Sequence, residues 1–183
     1  MYMKRILLSI LVAAIPFAPI FSAEKAPKNE KVKNVILIIG DGMGLGACSS
    51  WMIDQNYGPT CFDRAQFVGV SKTYSANNRV TDSAASGTAM ATGHKTNNSM
   101  LGMLPDGSKP ASIAELAKEK GLATGIVVTS YVLDATPGAF FAHVKNRGDR
   151  KDIEEDLIRM KPDVLVGGGR KYFVQEKYVP EDR

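Results

Sequence analysis

Five consecutive apolar residues, Val35-Ile36-Leu37-Ile38-Ile39, end abruptly at Gly40-Asp41-Gly42. A short apolar run closed by glycine reads as a strand covered on both faces, because a half-exposed strand would alternate with polar residues. The same signal returns at Ala123–Val128 and Val164–Val166. Helical patterns lie between these segments. Ser112 with Glu115 forms a capping-box sequence ahead of Ile113, Leu116 and Ala117, and Gly121 stands where that helix would stop. Asp152–Met160 carries Ile153, Leu157 and Met160 on one face, with Pro162 following. Strands alternating with helices predict an α/β fold with a central, largely parallel sheet and helices on both faces. Ligands of such sheets bind beyond the carboxyl ends of the strands. After Val166 come three glycines and a basic pair without a closing element, so the sheet is expected to be incomplete at the C-terminus.

The amino-terminal segment is a different kind of sequence. Lys4 and Arg5 precede an apolar stretch from Ile6 to Phe21, and small residues follow at Ser22 and Ala23. That order predicts a signal peptide over residues 1–23 and export to a periplasmic or extracellular location. Pro16 and Pro19 argue against a permanent membrane span. Residues 24–33 are charged and aperiodic and are read as a linker, leaving residues 34–183 as the folded part. Loss of Lys4 and Arg5 would halve the formal charge of +4, so the composition implies no nucleic-acid partner. Cys48 and Cys61 are compatible with a disulfide in an exported protein and equally with free thiols.

Three constellations carry chemistry. In the first, Asp41 sits between Gly40 and Gly42 after the first strand, where a carboxylate can face a crevice and hold Zn²⁺ or Mg²⁺. Gly42-x-Gly44-x-x-Ala47 also matches a dinucleotide fingerprint on paper, and a plain structural turn explains it as well. In the second, Asp82 and Ser83 precede the small residues Ala84 to Ala91, which suit a tightly packed helix. A serine at that start would meet an anion on free backbone N–H groups, but it needs a base or a metal to become a nucleophile. Only His94 and His143 occur in the chain, which favours metal activation over a Ser-His-Asp triad. Read alone, Asp82 and Ser83 are a helix cap. In the third, Asp134 and Thr136 offer oxygen ligands of the kind Mg²⁺ takes, and Arg147 offers a planar fork for phosphate oxygens. Thr136 precedes Pro137 and is expected to be extended. An Asp-initiated turn with a solvated arginine is the rival reading.

Taken in order, Ile39-Gly40-Asp41-Gly42-Met43-Gly44, the block Val80 to Ser86 with Thr92-Gly93-His94-Lys95-Thr96, and Asp134-Ala135-Thr136-Pro137 leading to His143 and Arg147 resemble the amino-terminal part of the alkaline phosphatases. The similarity runs from about Asn34 to Phe173. It implies that Ser83 is the nucleophile, forming a phosphoserine that a metal-bound hydroxide hydrolyses. It implies that Asp41 is shared between a zinc and the magnesium, that Asp134 and Thr136 lie on the magnesium side, and that Arg147 holds phosphate. The implied cofactors are two Zn and one Mg, the implied substrates small phosphomonoesters, and the intact protein is open to homodimer formation as in many relatives. Some relatives carry a histidine where Asp134 stands, and an aspartate favours magnesium over a third zinc. His94 and His143 do not match zinc-ligand positions. The remaining histidines and carboxylates of the zinc site are absent, so these 183 residues alone are expected to be inactive. Two other readings stay open. A sulfatase-like relative would require a cysteine in the Asp82-Ser83 setting, and a non-catalytic metal- or phosphate-binding fragment would need no further ligands.

Overall fold

The computed structural model describes residues 31–174, so the signal peptide reading of residues 1–23, most of the linker and Tyr178–Arg183 lie outside the described residues. The chain divides at Ile39 and Gly40 into two units. In the first, residues 31–39 carry no helix or strand, and Val35, Ile36 and Ile38 are each more than four-fifths exposed, at 84%, 84% and 88%. The predicted first strand is therefore not formed. A strand exists only through the ladder it shares with a neighbour, and residues 35–39 pair with none of the described residues.

The second unit has the expected alternation. Helix α1 spans Leu45–Asp54, α2 Ser83–Thr92, and α3 Ile113–Glu119. Strand β1 (Gly125–Tyr131) is followed by the single turn α4 (Ala135–Gly138), helix α5 (Arg150–Met160) and strand β2 (Val164–Gly168). The strands pair in parallel, Gly125 opposite Val164 and Val127 opposite Val166, with the register shifting before Tyr131 meets Gly168. This is the α/β arrangement with a parallel sheet, here of two strands among the described residues.

Side-chain caps set the starts of α2 and α3. Asp82 caps α2 by accepting from the Ala85 N–H at 2.9 Å. The capping box at α3 is complete: Ser112 Oγ accepts from the Glu115 N–H at 3.1 Å, and a Glu115 carboxylate oxygen accepts from the Ser112 N–H at 2.7 Å. The apolar stripe of α3 is less buried than its period suggests, with Ile113 and Leu116 both exposed. Helix α5 buries Ile153 and Leu157 as expected.

The core lies around residues 132–144, between α2 and α5. Leu101, Leu133, Phe141, Val144 and Ile153 are buried there together with Ala84, Ala135 and Ala139. An antiparallel bridge between Leu101 and Val144 joins the segment after α2 to the segment after α4. The sheet itself is poorly covered. Val127 is 70% exposed and Val164, Leu165 and Val166 are all exposed, so the double cover expected from their apolar sequence is not supplied by the described residues. Cys48 is half-buried and Cys61 exposed, both as free thiols.

Candidate active site

Asp41 lies on a tight turn in which the Met43 N–H donates to the Gly40 carbonyl at 3.1 Å and the Gly44 N–H to that of Gly42 at 3.0 Å. Gly42 has φ of +71°, a left-handed conformation that costs glycine nothing and would strain any other residue. The turn leaves the Asp41 carboxylate exposed, and two hydroxyl groups from distant parts of the sequence donate to it. Ser83 Oγ, at the first position of α2, lies 3.0 Å from both Asp41 oxygens. Thr136 Oγ1, in α4, donates to Asp41 Oδ2 at 2.7 Å. An ionised carboxylate can only accept, so it is the natural meeting point for two hydroxyl donors.

Thr136 reaches this place from a helix and not from an extended segment. Asp134 caps α4, accepting from the Ala135 N–H at 2.7 Å, and Pro137 falls in the first turn. The X-Pro rule disfavours a helical backbone at Thr136 without forbidding it, and the Asp134 cap carries the chain into the turn; Pro137 itself loses no bond there, because first-turn N–H groups have no intrahelical partner.

Arg147 is held between two carboxylates. Its guanidinium donates to Asp134 Oδ1 at 3.1 Å and lies 3.7 Å from Asp82 Oδ2. Ser130 Oγ donates to the other Asp134 oxygen at 3.2 Å. Asp82 therefore caps the helix that begins at Ser83 and also faces the arginine. Sequence reading finds only the cap, since nothing local to Asp82 announces a partner so far along the chain. Of the sequence-derived candidates, Asp41, Ser83 and Thr136 are in direct contact and Asp134 with Arg147 forms a second group. Asp82, adjacent to Ser83, joins the two.

Neither histidine enters this cluster. His94 is exposed, its Nδ1 2.8 Å from the Thr92 carbonyl. His143 has Nδ1 at 2.6 Å from the Gly102 carbonyl and Nε2 at 2.8 Å from Glu115 Oε1. The hydrogen bond to Glu115 raises the His143 pKa above its ordinary 6.5, against the opposing effect of burial. Burial pushes the Glu115 carboxyl up, but the His143 and Ser112 hydrogen bonds outweigh it and hold the group below 4.5.

The donor set suits a hard cation better than zinc. Asp41, Thr136 and Asp134 supply carboxylate and hydroxyl oxygens, which Mg²⁺ prefers. Zinc sites usually add imidazole or thiolate to carboxylate oxygens, and neither histidine hydrogen-bonds to this cluster. Among the described residues no group of three or more His, Cys, Asp and Glu gathers into a metal cage.

The family model described as alkaline phosphatase matches residues 32–182. Alkaline phosphatase 3 of Bacillus subtilis (strain 168) is 38% identical over 179 residues, covering 90% of this chain and 38% of its own length. A cold-active alkaline phosphatase from a psychrophilic Shewanella sp. superposes with a TM-score of 0.71 at 39% identity, over 75% of this chain and 36% of that one. A mutant of the TAB5 alkaline phosphatase with aspartate in place of a histidine, and Mg bound in its M3 site, gives a TM-score of 0.65 at 35% identity, over 70% of this chain and 38% of that one. The chain belongs to the alkaline phosphatase family. It spans less than half the length of the relatives it matches. Family membership also sets aside the dinucleotide reading of the Gly42 turn. Among the described residues no helix is long and apolar enough to cross a membrane.

Proposed function

We propose that this chain carries the nucleophile of a metal-dependent phosphomonoesterase, with Ser83 as the attacking group. The observation that carries the reading is the shared Asp41 carboxylate, which accepts from Ser83 Oγ and Thr136 Oγ1 at 3.0 and 2.7 Å. Ser83 Oγ gives up its proton to solvent and attacks phosphorus, the bond to the leaving oxygen breaks, that oxygen takes up a proton from water to leave as the alcohol, and a phosphoserine results. Water then releases phosphate from Ser83. Asp41 accepts the Ser83 hydrogen bond and so fixes where the oxygen lone pairs point. Arg147 offers its fork to the non-bridging phosphate oxygens and offsets the charge they carry. A phosphate has to draw that fork away from Asp82 and Asp134, which keep it aimed at the site beforehand.

Asp41, Asp134 and Thr136 would hold Mg²⁺, in keeping with the TAB5 variant in which an aspartate replaces a histidine and Mg is bound. Bound metal ions supply positive charge and an acidified water to chemistry of this class. Of the two zinc ions implied by the family, one would share Asp41 with the magnesium, and both need further ligands that the described residues do not provide, so no step is assigned to them. We further assign residues 1–23 to an export signal, 24–33 to a linker, and 34–183 to the amino-terminal part of the family's domain, in a periplasmic or extracellular protein that acts on small phosphomonoesters. The intact protein is open to a homodimer, and neither a nucleic-acid partner nor a permanent membrane span is assigned.

The test compares a form extended to the relatives' full length with its Ser83→Ala variant. Turnover of a chromogenic phosphomonoester at alkaline pH, with Zn²⁺ and Mg²⁺ present, is expected to fall by about 10³-fold or more. Equal turnover by the variant refutes the assignment. The 183-residue chain alone is expected to show no turnover. The incomplete metal set also supports a second reading, a phosphate-binding fragment without turnover, which calorimetric titration with phosphate separates from catalysis.

A further inference from the structure

The four residues between Thr96 and Leu101 do more than connect. Ser99 adopts φ of +73°, one of four non-glycine residues with positive φ among the described residues. Its N–H donates to Asp82 Oδ2 at 2.9 Å, and its carbonyl accepts from the Arg147 N–H at 2.7 Å. One residue thus touches both the carboxylate beside the nucleophile and the backbone of the phosphate-holding arginine. Asn98, before it, spans the approach to Ser83: its Oδ1 accepts from the Asp82 N–H at 3.2 Å and its Nδ2 donates to the Val80 carbonyl at 3.0 Å. Behind them, buried Thr88 ties α2 to the same segment, donating to the Met100 carbonyl at 3.2 Å and accepting from the Gly102 N–H at 2.9 Å. Without the left-handed turn at Ser99, its N–H and carbonyl would not reach Asp82 and Arg147 together.

We propose that Asn98 and Ser99 are positioning residues that set the placement of Arg147 relative to Ser83, and hence the spacing between the nucleophile and the site of the phosphate oxygens. This rests on the phosphatase reading. A left-handed backbone is unfavourable for serine and is retained only where the surroundings over-determine it. Here the two hydrogen bonds of its own peptide groups and the adjacent Leu101–Val144 bridge do so.

The experiment uses the isotopically labelled 183-residue chain and three variants. Ser99→Val keeps both peptide groups but resists positive φ, whereas Ser99→Gly accepts it. In Ser99→Val the Arg147 amide is expected to exchange at least about fivefold faster, the scale of one lost hydrogen bond. The Arg147 Nε–H resonance is expected to move towards that of free arginine, while the Leu157 amide in α5 keeps its protection. Ser99→Gly is expected to restore wild-type values for both. Unchanged Arg147 signals in Ser99→Val, or equal disturbance in Ser99→Gly, overturn the proposal. Should Ser99→Val unfold the chain, Asn98→Ala decides: faster exchange confined to Asp82 and its neighbours supports the proposal, and an unchanged Asp82 amide refutes it. Titration of the wild-type chain with inorganic phosphate is read separately. Absence of binding alongside the expected exchange pattern counts against the phosphatase reading while leaving Arg147 tied to Ser99.

Discussion

Replacing Asp82 with alanine removes three interactions whose sizes follow from the structure. The cap on α2, where Asp82 Oδ1 accepts from the Ala85 N–H, is worth about 1 kcal/mol. The hydrogen bond from the Ser99 N–H contributes about another 1 kcal/mol, since the acceptor is charged but partly solvated. The contact with Arg147, at 3.7 Å and with Arg147 35% exposed, contributes at most about 0.5 kcal/mol. Together they make Asp82→Ala cost about 2 to 3 kcal/mol. With a urea dependence near 2 kcal/mol per molar, the unfolding midpoint followed by circular dichroism should fall by about 1 M. Asp82→Asn keeps an oxygen acceptor for the cap and should lose less than half as much. A midpoint shift below about 0.3 M for Asp82→Ala, or equal losses for the two variants, refutes this reasoning.

Three other outcomes are expected. Thr88→Val keeps the shape but strands the buried Gly102 N–H and the Met100 carbonyl, costing about 2 to 4 kcal/mol in the same unfolding assay. Leu101→Ala, at a fully buried position, should cost about 3 kcal/mol and is checked the same way. The His143–Glu115 pair should make stability depend on pH. His143 has a folded pKa above 6.5, so its contribution is complete below that value and is lost as pH rises through the raised folded value. Glu115 has a folded pKa below 4.5, so its contribution is complete above that value and is lost as pH falls through the depressed one. The pair therefore contributes fully between 4.5 and 6.5, and Glu115→Gln should flatten the alkaline limb of the urea midpoint measured against pH.

What could be read from the sequence was whatever local rules determine. The Ser112–Glu115 box, the small residues of α2 and the period of α5 each announce an element whose hydrogen bonds lie within a few residues. Residues 35–39 show the limit, because an apolar run specifies a strand only where another strand offers its edge. Thr136 shows another, since the rule for a residue before proline gives way once Asp134 caps a turn around it. The candidate site residues were legible as motifs, and the contacts between them were not. Nothing near Asp82 in sequence indicates that Arg147 lies against it, and the Asn97-Asn98-Ser99 cluster reads only as polar turn material.

Gly87 has the last consequence. A Cβ placed on it would lie 2.9 Å from the Ala139 side chain and 3.6 Å from the Thr136 carbonyl, so glycine is what lets α2 approach the α4 turn this closely. The helix bearing the serine and the turn bearing the threonine are thereby packed directly against each other. A side chain at position 87 would therefore wedge the two apart and draw the two hydroxyls off their common carboxylate.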